Sequence, residues 1–128
     1  MPRVSAAFFT VGALCVLVGM LWGMHMGQAE DFTLMAAHAH LNLVGWVTMS
    51  LYGTFYALTA QTMSPRLAWI NFVLSLAGVL IMIPSLAIYL ATSDKTYIGP
   101  MVIGEVLTLL GLIVFLISVF RELLRKRA

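Results

Sequence analysis

His38-Ala39-His40-Leu41-Asn42-Leu43-Val44-Gly45-Trp46 stands near the start of an apolar run that reaches Ala60. Two of the chain's three histidines lie here, two residues apart, in a segment otherwise fit to cross a bilayer. An ionisable residue inside a membrane span is costly and marks a functional site by default. At roughly 100° per residue, imidazoles at i and i+2 of an α-helix point about 200° apart. Such a pair cannot hold one metal ion from one side of the helix. It serves two sites on opposite faces.

The rest of the chain fits that setting. Of 128 residues, 62% are hydrophobic and only 9% charged, and the mean hydropathy is +1.01. A soluble domain of this length could not hide so much apolar surface, so the class is integral membrane and all-α. The apolar residues fall in four runs, about 4–26, 34–60, 67–90 and 98–120, each reaching the roughly 20 residues of a span. A single domain over 1–128 is expected, a four-helix membrane bundle with no second domain, linker or internal repeat. The first run is read as a retained helix, because its apolar part exceeds the roughly 7–15 residues of a signal peptide. Cys15 is the only cysteine and lies mid-span, which excludes an intrachain disulfide.

Charge sets the expected topology. Arg3, Arg66, Arg121, Arg125, Lys126 and Arg127 fall on one side of four spans, against Lys95 alone on the other. Both termini are therefore expected in the cytoplasm, with loops 28–33 and 91–97 outside. The basic tail is a topology signal facing membrane lipid, and no nucleic-acid partner is expected. His38 and His40 then start about 5–10 Å below the outer hydrocarbon surface, at 1.5 Å per residue. Glu105 reaches a similar depth from the same side.

Helical spacing assigns faces. His38 heads a face with Asn42, Gly45, Met49, Tyr52, Gly53 and Tyr56, whereas His40 shares the other with Val44, Val47, Leu51 and Leu58. Both could pack a flat, mostly apolar cofactor, with glycines admitting a ring close to the backbone. Gly19, Gly23 and Gly27 form a small-residue ridge for close helix packing, and His25 lies opposite it as an interfacial side chain. Asp31 or Thr33 is expected to cap the second helix. Pro84 is expected to kink the third and free a carbonyl that Ser85 helps to offset. Pro100 suits the first turn of the fourth.

Three chemistries suit the histidine pair. Each imidazole can simply bridge helices; the pair can relay protons with Glu105 as carrier; or neutral imidazole can ligate haem iron. No P-loop, HExxH, GxSxG, Cys-x-x-Cys-His or glycine-rich dinucleotide motif is present.

Ala37-His38-Ala39-His40-Leu41-Asn42-Leu43-Val44-Gly45 resembles the Ala-His-x-His helix of the haem–copper oxidase catalytic subunit, the tenth of that subunit's twelve spans. In the family the first histidine ligates the high-spin haem and the second the low-spin haem, on opposite sides of one helix. The resemblance implies His38 and His40 as iron ligands and Asn42, Gly45, Trp46 and Glu105 as the cofactor's surroundings, with haem b as the cofactor. The family's copper-binding elements, a His-Pro-Glu-Val-Tyr-like stretch and an adjacent His-His pair, have no counterpart here, so oxygen reduction coupled to pumping is not expected. The family subunit resembles three four-helix arcs, each arc's second helix being the haem-bearing one, as it is in this chain. That likeness implies a homotrimer of twelve helices in which His38 of one protomer faces His40 of the next across a shared haem. The implied function is electron transfer or gas sensing in a bacterial inner membrane, with an unknown redox partner. The competing expectation is a cofactor-free structural or proton-conducting membrane protein.

Overall fold

Helices that are apolar all round suit lipid, which offers no hydrogen bonds to a bare backbone. The four apolar runs do form helices. The computed structural model describes residues 1–126, in the order α1 (Arg3–Ala29), α2 (35–58), α3 (Pro65–Thr92), a 3-10 turn (Lys95–Tyr97) and α4 (Ile98–Leu123). Arg127, counted above with the basic tail, lies outside the described residues. No strand occurs among the described residues. Arg3–Ala29, Pro65–Thr92 and Lys95–Leu123 are each long and apolar enough to cross a membrane. The helix α2 is divided: Met35–His40 is α-helical, Leu41–Thr48 is π-helical and Met49–Leu58 is α-helical again.

The chain pairs its helices into two hairpins, α1–α2 and α3–α4, with turns built alike. Helix α1 stops at Glu30 (φ 51°) and α3 at Ser93 (φ 57°), both left-handed. An Asp-x-Thr turn follows each. The Asp31 carboxylate accepts the Thr33 amide (3.0 Å) and hydroxyl (2.6 Å). Asp94 accepts the Thr96 amide (2.9 Å) and hydroxyl (2.7 Å) in the same way. Asp31 thus closes a turn instead of capping α2, whose first turn has no side-chain cap. The likeness extends along the hairpins. The interval from Asp31 to Asp94 carries the packed pair Cys15–Gly45 onto the packed pair Gly78–Thr108, and carries Gly12 onto Ser75. The two hairpins are thus alike in these turns and contacts. Side-chain identities swap across each contact, so the likeness is visible only in packing.

Within each hairpin the helices meet at glycines. A Cβ on Gly104 would lie 2.5 Å from the Met82 amide nitrogen, and one on Gly111 would lie 2.6 Å from Ser75 Oγ. In the first hairpin Gly12, Gly19 and Gly23 of α1 receive Ser50 and Trp46, Asn42, and His38. The ridge is therefore Gly12, Gly19 and Gly23; a Cβ on Gly27 would meet nothing within 4 Å.

The hairpins join at an aromatic core. Phe8 lies edge-on to Phe72 (5.1 Å), and Tyr52 lies tilted against Phe115 (4.4 Å). A buried polar chain crosses it: Ser75 donates to Asn71, Asn71 to the Tyr56 hydroxyl at 3.2 Å, and Tyr56 meets Ser118 at 3.2 Å. Helix α3 runs unbroken through Pro84, and Ser85 donates to the Ile81 carbonyl at 2.7 Å. The carbonyl freed by Pro84 belongs to Leu80, so Ser85 does not offset it.

The π segment changes the facing of everything before it. Every fourth residue of an α-helix overshoots a turn by about 40°, so such a row winds away by about 120° in three steps. On α2 the rows stay straight. Ala37, Leu41, Gly45, Met49 and Gly53 are all buried. A π-turn, bonded i to i+5, holds more than four residues and cancels the drift. The Thr48 hydroxyl follows the same register, donating to the Leu43 carbonyl five residues back at 2.8 Å.

Two predictions follow from this packing. Gly104→Ala should destabilise the protein by about 1–3 kcal/mol through backbone overpacking. Gly27→Ala should be neutral or stabilising by up to about 1 kcal/mol; thermal unfolding in one detergent compares them, and equal effects would contradict the packing. The hydrogen bonds from Thr33 and Thr96, hydroxyl first and amide second, hold Asp31 and Asp94 below the ordinary carboxylate range. A carboxyl depressed on folding adds stability above its unfolded pKa and loses it as pH falls through the folded one. The Thr33 and Thr96 amide shifts should therefore titrate only below about pH 4, as read by NMR.

Candidate functional site

Met35–His40 is α-helical, so the two imidazoles do leave α2 on different sides. His40 is exposed, and its Nδ1 lies 2.7 Å from the Ala36 carbonyl oxygen. A carbonyl only accepts, so Nδ1 donates to it and, in the neutral imidazole, Nε2 keeps the lone pair. That is the tautomer a histidine adopts when its far nitrogen ligates a metal. His40 lines an open groove of about 390 Å³ between α2 and α4. Val44, Thr48 and Tyr52 continue its row along α2, and Glu105, Thr108, Leu109 and Leu112 form the opposite wall on α4.

Glu105 is exposed on α4; a carboxylate facing lipid near the middle of a span would cost roughly 2.5–3.5 kcal/mol. No hydrogen bond or ion pair to it occurs among the described residues. The neighbouring hydroxyls are engaged with their own helices: Thr108 donates to the Gly104 carbonyl at 2.9 Å, and Thr48 to Leu43. The groove therefore offers a free imidazole nitrogen and a free carboxylate on mostly apolar walls.

His38 goes elsewhere. Its ring is half-buried against Gly23 and lies edge-on to Trp22 at 6.1 Å. Nε2 accepts from the Asn42 amide at 3.3 Å, and Nδ1 is buried with no partner. Asn42 seats on Gly19, Gly45 packs against Cys15 Sγ (2.8 Å for a built Cβ), and Trp46 covers Gly12. Of the residues expected around a cofactor, only His40 and Glu105 share a groove. His38, Asn42, Gly45 and Trp46 belong to the α1–α2 seam. The expected His38 face with Met49, Tyr52 and Tyr56 assumed an unbroken α-helix; the π turn puts Trp46 and Ser50 in that row instead. Val47, Leu51 and Leu58 are exposed, as His40 is, but do not line the groove that His40 lines. Reading α2 in steps of four from His40 would have found Thr48 and Tyr52.

A second, wholly apolar groove of about 430 Å³ lies between α1 and α3, walled by Cys15, Trp22, Leu41, Ile83 and Pro84 among others. Near the chain termini Thr62 donates to Glu122 at 2.7 Å, and Arg125 pairs with the same carboxylate at 2.9 Å. No cluster of three or more His, Cys, Asp or Glu side chains able to hold a bare metal ion occurs among the described residues. Protein-family models, curated proteins and solved structures yield no match to this chain. Its chemistry rests on the groove.

The tautomer is directly checkable without any cofactor. In ¹⁵N-labelled protein, the neutral form of His40 should carry its proton on Nδ1, hydrogen-bonded to the Ala36 carbonyl. An Nε2–H tautomer would contradict the Ala36 bond.

Proposed function

We propose that this chain is a four-span membrane protein whose α2–α4 groove would hold haem b, with His40 as the residue that would bind its iron. The observation that carries this reading is the His40 Nδ1–Ala36 bond, which leaves Nε2 as the unengaged nitrogen at the edge of a groove with apolar walls. A porphyrin supplies four of the iron's ligands, so one or two histidines suffice where a bare ion would need three or four. The groove volume falls at the low end of the roughly 300–1,000 Å³ of small-molecule sites. A flat ring would thus seat one face and edge there and need cover on the other.

A homotrimer meets that need in this reading. The exposed groove of one protomer would close against the next, and His38 of the neighbour, once out of its Gly23 notch, would be the second histidine to hold the haem. When bound, the haem supplies one-electron chemistry. The chain's own residues hold and shield it: His40 ligates, Val44, Leu109 and Leu112 pack the ring, and Glu105 and Tyr52 border its edge. The role is electron transfer or gas sensing without a copper centre, exchanged with a redox partner in a bacterial inner membrane, the termini on the cytoplasmic side.

Detergent-purified protein should show a Soret band, with sharp α and β bands after dithionite. His40→Ala should abolish them, and His38→Ala should leave a five-coordinate spectrum with most of the haem retained. Native mass measurement on the same sample should give three chains. A colourless protein that takes up no added haem would return the reading to a cofactor-free bundle.

A further inference from the structure

We infer that the π-helical segment Leu41–Thr48 is the positioning element that assigns the two histidines to their separate sites. By absorbing about one residue's worth of twist, it sets His40 in the α4 groove and His38 in the α1 seam. The azimuth of Met49–Leu58 is fixed independently, because Tyr52 and Tyr56 are buried in the aromatic core and Tyr56 is hydrogen-bonded to Asn71. The outer piece, Met35–His40, packs against both α1 and α3 but makes no side-chain hydrogen bond to another helix among the described residues. Its facing toward both is set through the eight residues between.

Three straight rows measure that inheritance. His38, Asn42 and Trp46 with Ser50 meet Gly23, Gly19 and Gly12 in turn. Ala37, Leu41, Gly45, Met49 and Gly53 stay buried. His40, Val44, Thr48 and Tyr52 stay on the groove. Were 41–48 α-helical, the four-residue rows would wind by about 120° between their ends and the five-residue row by about 160°, more than the 100° of one residue. His40 would leave the groove that Tyr52 lines, and His38 would leave Gly23. A π stretch is rare and its hydrogen bonds are poorer, yet it recurs at functional sites. Here the glycine notches of α1 fit only the π-set register. The division of facing stands on these contacts alone; its consequence for iron ligation rests on the haem reading above.

Deleting one residue from the segment tests it. Leu43 and Val47 are both exposed, so removing either takes no side chain from the core. The set is the deletion of Leu43, the deletion of Val47, Leu43→Ala at full length, and the Leu43 deletion compensated by an alanine inserted after Val47. The first readout needs no haem. In a Cys15→Ser background, Gly23→Cys and His38→Cys are linked by a short bis-methanethiosulfonate reagent spanning the space the imidazole fills. Leu43→Ala and the compensated chain should cross-link like the full-length protein. Each deletion should lose yield about tenfold or more, because side chains that point apart cannot be bridged. The second readout is the reduced haem spectrum of chains retaining both histidines: present in the full-length and compensated proteins, lost in each deletion.

Cross-linking that survives both deletions would overturn the inference. So would the failure of both to yield a monodisperse helical protein, because the inner half and its core should not need the extra residue. If no variant binds haem, the full-length protein included, the haem reading fails while the cross-linking arm still decides the role of the segment.

Discussion

Lipid supplies no hydrogen bonds, so every backbone amide of a span must find its acceptor within the chain. That constraint shapes both the regular and the irregular parts of this protein. It forces helices on the apolar runs, and it limits how a helix can alter its facing without leaving amides bare. A π segment is one of the few solutions: the bonds shift from i–4 to i–5 acceptors, so none is forfeited. Leu41–Thr48 uses it to change azimuth in mid-helix. Pro84 illustrates the other outcome, in which a missing N–H leaves the Leu80 carbonyl without its helical donor while the helix continues.

Where water cannot drive helices together, close packing must do so. The glycines of α1 and α4 let the two helices of each hairpin approach until a single methyl would strike backbone or side chain. Into those notches the first hairpin places polar atoms, and these come at a price. Ser5 Oγ, Ser50 Oγ, Asn42 Oδ1 and His38 Nδ1 are all buried without partners. Elsewhere hydroxyls turn back to a carbonyl of their own helix, as Thr54 does to Ser50 and Ser118 to Val114. The second hairpin's Asn71, Ser75 and Ser118 are satisfied in one chain that runs through Tyr56 of α2. The first is thus the less settled of two like hairpins, and it is the one that carries the histidines.

The four helices were legible from hydropathy and length, and their ends fall within about a turn of the expected spans. The opposed histidines were legible from local periodicity, because Met35–His40 is an ordinary α-helix. The faces farther along were not. Counting at 3.6 residues per turn past Leu41 accumulates an error of about one residue, enough to group His38 wrongly with Tyr52 and His40 wrongly with Leu51. No side chain in 41–48 announces a π-turn, since the segment reads as a plain apolar run with one glycine. The His40–Glu105 groove depends on how α4 packs against α2. That relation is set by Tyr56, Asn71 and Ser118 far from the histidines, and no local pattern contains it.

A histidine's usefulness depends on what its second nitrogen does. His38 accepts a proton donor at Nε2 and leaves Nδ1 stranded among packed atoms, so its lone pair is already in use. His40 spends its proton on its own backbone and keeps its lone pair outward. Two identical side chains, separated by one alanine, are thereby made chemically unlike: one a seam contact, one a base or ligand facing the groove. Glu105 sharpens the difference, because an unpaired carboxylate facing lipid is tolerable only if something polar or cationic comes to meet it. Among the described residues nothing does. In the haem reading, whatever fills the groove brings both an apolar face for Val44, Leu109 and Leu112 and a group that Glu105 can face.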